Sequence, residues 1–151
     1  SARVSQLSGR LGHKLNMLPA EQRRLKSLAY LHDIGKLVLP AHTKDQPHFR
    51  QQHVTLGSRM LEAIPAFKPF APAVRYHHER WDGSGYPDGL AGSNIPLYAR
   101  IIGLASAYEH TLEQQGTSPQ AAVEYLTKSG YYDPNLCQML KEIIDHDQVA
   151  V

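Results

Sequence analysis

Apolar residues recur at helical spacing along nearly the whole chain, and no segment alternates with period two for long enough to make a strand. Val4, Leu7, Leu11, Leu15 and Leu18 mark one face of an opening helix. Pro19-Ala20-Glu21 reads as a break and a new start. Leu25, Leu28, Ala29 and Leu31 carry the second helix to a predicted stop at Gly35, with His32 and Asp33 in its last turn. A third helix is predicted over about 49–63, with His53, Leu56 and Met60 on one face. Residues 37–48, with Pro40 and Pro47, read as irregular. Beyond Pro65, Pro69 and Pro72 a short helix is expected to end at His77-His78. Four glycines and two prolines make residues 82–96 a loop, and a long helix follows from Ile95 or Pro96 through Leu112. Ser118-Pro119 and Asp133-Pro134 each pair a capping side chain with a proline suited to a first helical turn. The expected fold is all-α: one domain over residues 1–151, a single compact bundle of about seven helices.

At 151 residues the chain can bury a real core. A net charge of +2 is too small for a protein that coats nucleic acid, so no DNA partner is expected. No apolar run reaches the length of a membrane-crossing helix. The lone Cys137 excludes an internal disulfide framework and suits a reducing, cytoplasmic compartment. The start inside an apparent helix reads as a cut from something longer.

Nine histidines stand out in the composition, and five titratable residues group on separate segments: His32-Asp33, His53 and His77-His78. Imidazoles and a carboxylate from different segments are what a metal site in a helical bundle requires. A carboxylate beside an imidazole can bridge two divalent ions, the basis of a two-metal hydrolase. For either pair taken alone the plainer reading is a helix end, where His packs and Asp caps. His13, His42, His48 and His146 lack any motif and read as ordinary surface or half-buried residues. Arg23, Arg24 and Lys26 read as a solvated helix face, and Tyr131-Tyr132 as core.

Longer strings surround these groups: Leu31-His32-Asp33-Ile34-Gly35-Lys36, His53 with Gly57, and His77-His78-Glu79-Arg80-Trp81-Asp82-Gly83-Ser84-Gly85-Tyr86-Pro87. Ile95-Pro96-Leu97-Tyr98-Ala99-Arg100-Ile101 and Gly130-Tyr131-Tyr132-Asp133-Pro134 extend the pattern. Together they resemble the HD-GYP branch of the HD metal-dependent phosphohydrolase superfamily over nearly the whole chain. The resemblance implies a bacterial signalling domain that hydrolyses cyclic di-GMP, to a linear dinucleotide or to GMP, by metal-activated hydroxide attack. It implies a centre of two or three metal ions, usually iron or manganese. His32, Asp33, His53, His77 and His78 would be ligands, with Asp33 bridging, and Lys36 would neutralise a phosphate oxygen. Asp82, Gly83, Gly85 and Pro87 would shape the loop, Tyr86 would face substrate, and Glu79 and Asp82 would orient imidazoles. A receiver or a diguanylate cyclase domain is the implied partner.

The chain departs from that pattern at three places. A family histidine ligand would fall just ahead of Ser1-Ala2-Arg3-Val4. Ser106 stands where the family has a ligand aspartate, and a hydroxyl is a poor substitute for a carboxylate on a hard cation. Residues Thr111 to Ser118 contain none of the phosphate-binding arginines. One metal position is therefore expected to be well occupied and the other weakly; Glu109 and His110, on nearly the same helix face as Ser106, are a conceivable rescue. The rival to an enzyme is a degenerate, inactive domain that binds cyclic di-GMP or serves as a protein-interaction module. A mononucleotide phosphohydrolase of the wider superfamily is disfavoured by the Gly-Tyr-Pro loop.

Overall fold

The structure is a computed structural model that describes residues 1–40, 46 and 48–149. The readings made for His42 and Pro47 fall outside the described residues. Among the described residues there are seven α-helices and no strand: α1 (Ala2–Lys14), α2 (Pro19–Leu31), α3 (Phe49–Glu62), α4 (Ala71–Arg75), α5 (Leu97–Gln115), α6 (Pro119–Ser129) and α7 (Pro134–Val149). A short 3-10 turn, Ile34–Leu37, follows α2.

Local chemistry sets the helix ends. The Glu21 carboxylate accepts the Leu18 N–H at 2.8 Å, and Pro19 opens α2. Ser118 Oγ accepts the Ala121 N–H at 3.2 Å ahead of Pro119, and α6 stops at Gly130 with φ +71°. Asp133 caps α7 by accepting the Asn135 N–H at 2.9 Å. Its second oxygen accepts Arg100 Nη1 at 2.7 Å, so the start of α7 is clamped to α5. Both cap readings made from the sequence hold.

The core joins α1, α2, α5, α6 and α7 through Leu11, Leu25, Leu28, Ile101, Leu104, Ala122 and Leu140, all fully or almost fully buried. Helix α3 packs on α4 and on the 3-10 turn and brings Val54 and Leu61 inward. Three expectations need correction. Leu18 lies beyond the end of α1 and is exposed. The inward face of α3 is His53, Val54, Gly57, Ser58 and Leu61, not His53, Leu56 and Met60. The 3-10 turn packs against this face at Gly57 as well as at His53.

The third correction concerns Gly35. Helix α2 already ends at Leu31, so Gly35 does not stop it. It is buried in the 3-10 turn against the α3 backbone. A Cβ there would lie 1.9 Å from the His53 carbonyl oxygen and 2.7 Å from the Gly57 nitrogen. Only glycine lets the two backbones come this close. Replacement Gly35→Ala must push the turn off α3, and it is expected to lower unfolding free energy by about 3 kcal/mol. Urea denaturation of both proteins measures this; an unchanged midpoint would contradict the contact.

Candidate metal centre

The close contact at Gly35 places the residue two before it against α3. Asp33 Oδ1 lies 3.6 Å from His53 Nε2 and 3.9 Å from His77 Nε2. Donor atoms of Asp33, His53, His77 and His78 all lie within 4.8 Å of one another. They come from three places: the end of α2, the middle of α3, and the turn after α4.

The imidazoles are oriented by main chain. His77 Nδ1 donates to the Val74 carbonyl at 2.7 Å, and His32 Nδ1 to the Ala29 carbonyl at 2.7 Å. His53 Nδ1 faces the Phe49 carbonyl at 3.4 Å. With the proton held on Nδ1, each Nε2 keeps a lone pair. Nε2 of His53, Nε2 of His77 and Oδ1 of Asp33 are buried and have no hydrogen-bond partner among the described residues. Buried polar atoms left so are uncommon. Converging here, they form the acceptor set a divalent cation would satisfy, three imidazoles and one carboxylate. His78 completes the set and stacks on Tyr86, ring centroids 4.8 Å apart.

Burial lowers the pKa of all four rings, His32, His53, His77 and His78. His78 falls to about 3, with the charge of His53 and Lys36 adding to desolvation. Desolvation would raise the Asp33 carboxyl, but His32 and the Lys36 ammonium, 2.7 Å from Oδ2, hold it below the ordinary value. At neutral pH the site therefore presents neutral imidazoles and an ionised carboxylate, the protonation states that bind metal.

His32 stands slightly apart. Its Nε2 lies 3.4 Å from Asp33 Oδ2 and 3.4 Å from the Ser106 hydroxyl, which donates to it. Glu109 turns toward Arg3, 3.5 Å away, and Arg3 also binds Glu113 at 2.8 Å. That Glu109 oxygen is buried and lacks a hydrogen-bond partner among the described residues, and it lines the same cleft as Ser106, so Glu109 stays a candidate for the rescue. His110 is exposed.

The expectation that Glu79 and Asp82 orient imidazoles is corrected. The buried Glu79 carboxylate accepts the Asp88 N–H at 2.7 Å and the Leu90 N–H at 3.0 Å, so it anchors the loop. Asp82 accepts the Ser84 N–H at 3.0 Å in a local turn. Gly83 has φ +82°, and a Cβ on Gly85 would lie 2.4 Å from the Arg80 nitrogen. Pro87 follows a cis peptide bond.

The cluster forms the floor of a cleft of about 580 Å³. Lys36, Arg50, Arg80 and Tyr86 line one part of its wall, and Ser106, Glu109 and Glu113 another. Sequence reading missed Arg50 and Arg80. The signal for Arg50 was its position three residues before His53 on one helix. Tyr131 carries the Arg80 guanidinium 3.9 Å above its ring, so it is a platform and not only core.

The all-helical fold and this histidine–aspartate centre are those of an HD domain, and comparison with known proteins agrees. The HD domain family matches residues 1–136. The cyclic di-GMP phosphodiesterase response regulator RpfG of Xanthomonas campestris is 31% identical over 91% of this chain and 41% of its own length. A cyclic di-GMP phosphodiesterase of Thermotoga maritima is 35% identical over 71% of this chain and 32% of its own. A cyclic GMP-AMP-specific phosphodiesterase of Vibrio cholerae, solved as a crystal structure, aligns with TM-score 0.79 at 19% identity, over 95% of this chain and 43% of that one. An HDGYP protein of Bdellovibrio bacteriovorus aligns with TM-score 0.77 at 23% identity, over 95% and 51%. The chain belongs to the HD domain family, in its HD-GYP branch. It spans less than half the length of the curated relatives named here. No described helix is long and apolar enough to cross a membrane.

The lowered imidazole pKa values fix a pH dependence of the metal-free protein. From the unperturbed 6.5 down to the folded-state values, the unfolded chain binds protons that the folded chain refuses. Stability is therefore full above about pH 6.5 and is lost as pH falls through that window. Calorimetry of metal-free protein is expected to give a lower Tm at pH 5 than at pH 7.5. The variant His77→Gln should show a shallower decline; a flat Tm in the parent protein would contradict the buried neutral rings.

Proposed function

We propose that this domain is a metal-dependent phosphodiesterase for cyclic di-GMP, and that it forms the output part of a longer regulator. The observation that carries the reading is the convergence of Asp33, His53, His77 and His78, with orphaned donor atoms, on the floor of a cation-lined cleft. Relatives named as cyclic di-GMP phosphodiesterases support the substrate, and the response regulator among them supports a receiver as partner.

In this reading Asp33, His53, His77 and His78 hold an iron or manganese ion, with His32 on the far side of Asp33. A bound divalent ion supplies Lewis acidity and a nucleophile at neutral pH. Lys36, already held by Asp33, places its ammonium where a phosphate oxygen gains charge. Tyr86 keeps its proton, since burial raises its pKa to about 12, and offers the cleft a neutral donor beside His78. Glu79 holds the loop that carries Tyr86. The position beside Ser106 has His32 and Asp33 but a hydroxyl in place of a third strong ligand. That observation favours a second reading, a domain that binds cyclic di-GMP without turning it over.

Metal analysis of reconstituted protein is expected to find one tightly held ion per chain. Ser106→Asp should raise the content toward two; two tight ions in the parent protein would refute the assignment of Ser106. Turnover separates the two readings of function. With iron or manganese supplied, cyclic di-GMP is expected to yield a linear product, at a rate abolished by His78→Ala and lowered roughly 10²-fold by Lys36→Met. Binding without product, under conditions where the metal is retained, would establish the second reading.

A further inference from the structure

A cyclic dinucleotide carries two phosphodiesters, and only one can sit over the metal cluster. The other enters the cleft as an anion that needs its own counter-charge. The cleft wall is electrically uneven. Glu109 and Glu113 lie on the α5 side, where the nearby Arg3 is already engaged by both. The rest of that helix and its exit, Thr111 to Ser118, contain no lysine or arginine. The cleft lining contributed by other elements includes Lys36, Arg50 and Arg80.

These three cations are not equivalent. Lys36 is bound to Asp33 at 2.7 Å beside the floor. The Arg80 guanidinium lies over the Tyr131 ring, 3.9 Å from its centroid. Arg50 is exposed, and among the described residues it has no ion pair. It stands about one helical turn before His53 on α3, about 4.5 Å along the axis. Arg50 lines the same cleft as His78 and Tyr86. A guanidinium so placed can grip a phosphate with two parallel N–H donors.

The geometry points to Arg50 as a specificity-determining residue that receives the second, non-reacting phosphate of a cyclic dinucleotide. This rests on the reading of the cleft as a cyclic di-GMP site. Arg50 touches no metal donor and is not needed to hold the reacting phosphate. Its loss should therefore weaken recognition of a two-phosphate substrate and spare the chemistry on a single phosphodiester.

The test compares cyclic di-GMP with bis(p-nitrophenyl) phosphate on the full chain loaded with manganese. Arg50→Gln is expected to raise KM for cyclic di-GMP about tenfold, the effect of one charge-assisted hydrogen-bonded pair, with kcat nearly unchanged. Its kcat/KM on bis(p-nitrophenyl) phosphate should stay at the parent value. Arg50→Lys should restore part of the loss. Arg59→Gln removes the same charge from an exposed position of α3 outside the cleft wall and should alter neither substrate. An unchanged KM for cyclic di-GMP, or equal losses on both substrates, would overturn the proposal while leaving the hydrolase reading intact. If the parent protein turns over neither substrate, the hydrolase reading fails and equilibrium binding of fluorescent cyclic di-GMP to metal-free protein decides. A Kd about tenfold weaker for Arg50→Gln supports the role of Arg50. Equal affinity, or no binding by either protein, overturns it.

Discussion

Two buried imidazoles donate Nδ1 to a carbonyl of their own segment, and a third faces one at longer range. Each bond is local, spanning three or four residues, so it forms as soon as the helical turn forms. Its effect is global. It fixes the tautomer and turns Nε2 inward; the lone pairs of His53 and His77 meet no donor among the described residues, while that of His32 accepts the Ser106 hydroxyl. The packing of α3 on the 3-10 turn serves the same end, since it sets Asp33 against those lone pairs. A bundle built only for stability would fill this space with aliphatic side chains. This one holds a cluster whose members are under-satisfied as they stand.

Much of the fold is legible because its signals are local. Ser118-Pro119 and Asp133-Pro134 start helices through contacts two or three residues long, and both behave as their chemistry predicts. The segment 82–96 reads as a loop because glycine and proline restrict the backbone wherever they stand. The candidate ligands are legible for a different reason: imidazole is rare, and His32, His53, His77 and His78 stand in strings that few other sequences share. What fails to show in the sequence depends on contacts across the fold. Gly35 looks like a helix stop, yet its role is set by the His53 carbonyl on another helix. Glu79 looks like a partner for its histidine neighbours, yet its carboxylate reaches nine and eleven residues onward. Arg50 lacks any motif, and only the shape of the cleft gives it meaning.

Charge is divided across the cleft in a way composition conceals. A net charge of +2 suggests a nearly neutral surface. In the structure the acidic residues of α5 are drawn to Arg3, while Lys36, Arg50 and Arg80 face the space above the histidines. Few charges are involved, but a concave wall with little solvent makes each count for more than it would on an open face.

Glu79 grips the loop through the N–H groups of Asp88 and Leu90, not through their side chains. Every residue except proline supplies an N–H, so the anchor does not depend on which side chains occupy those two positions. The loop is free to change its outward chemistry over evolutionary time while the histidines behind it stay where they are. One buried carboxylate thus separates what holds the loop in place from what the loop presents outward.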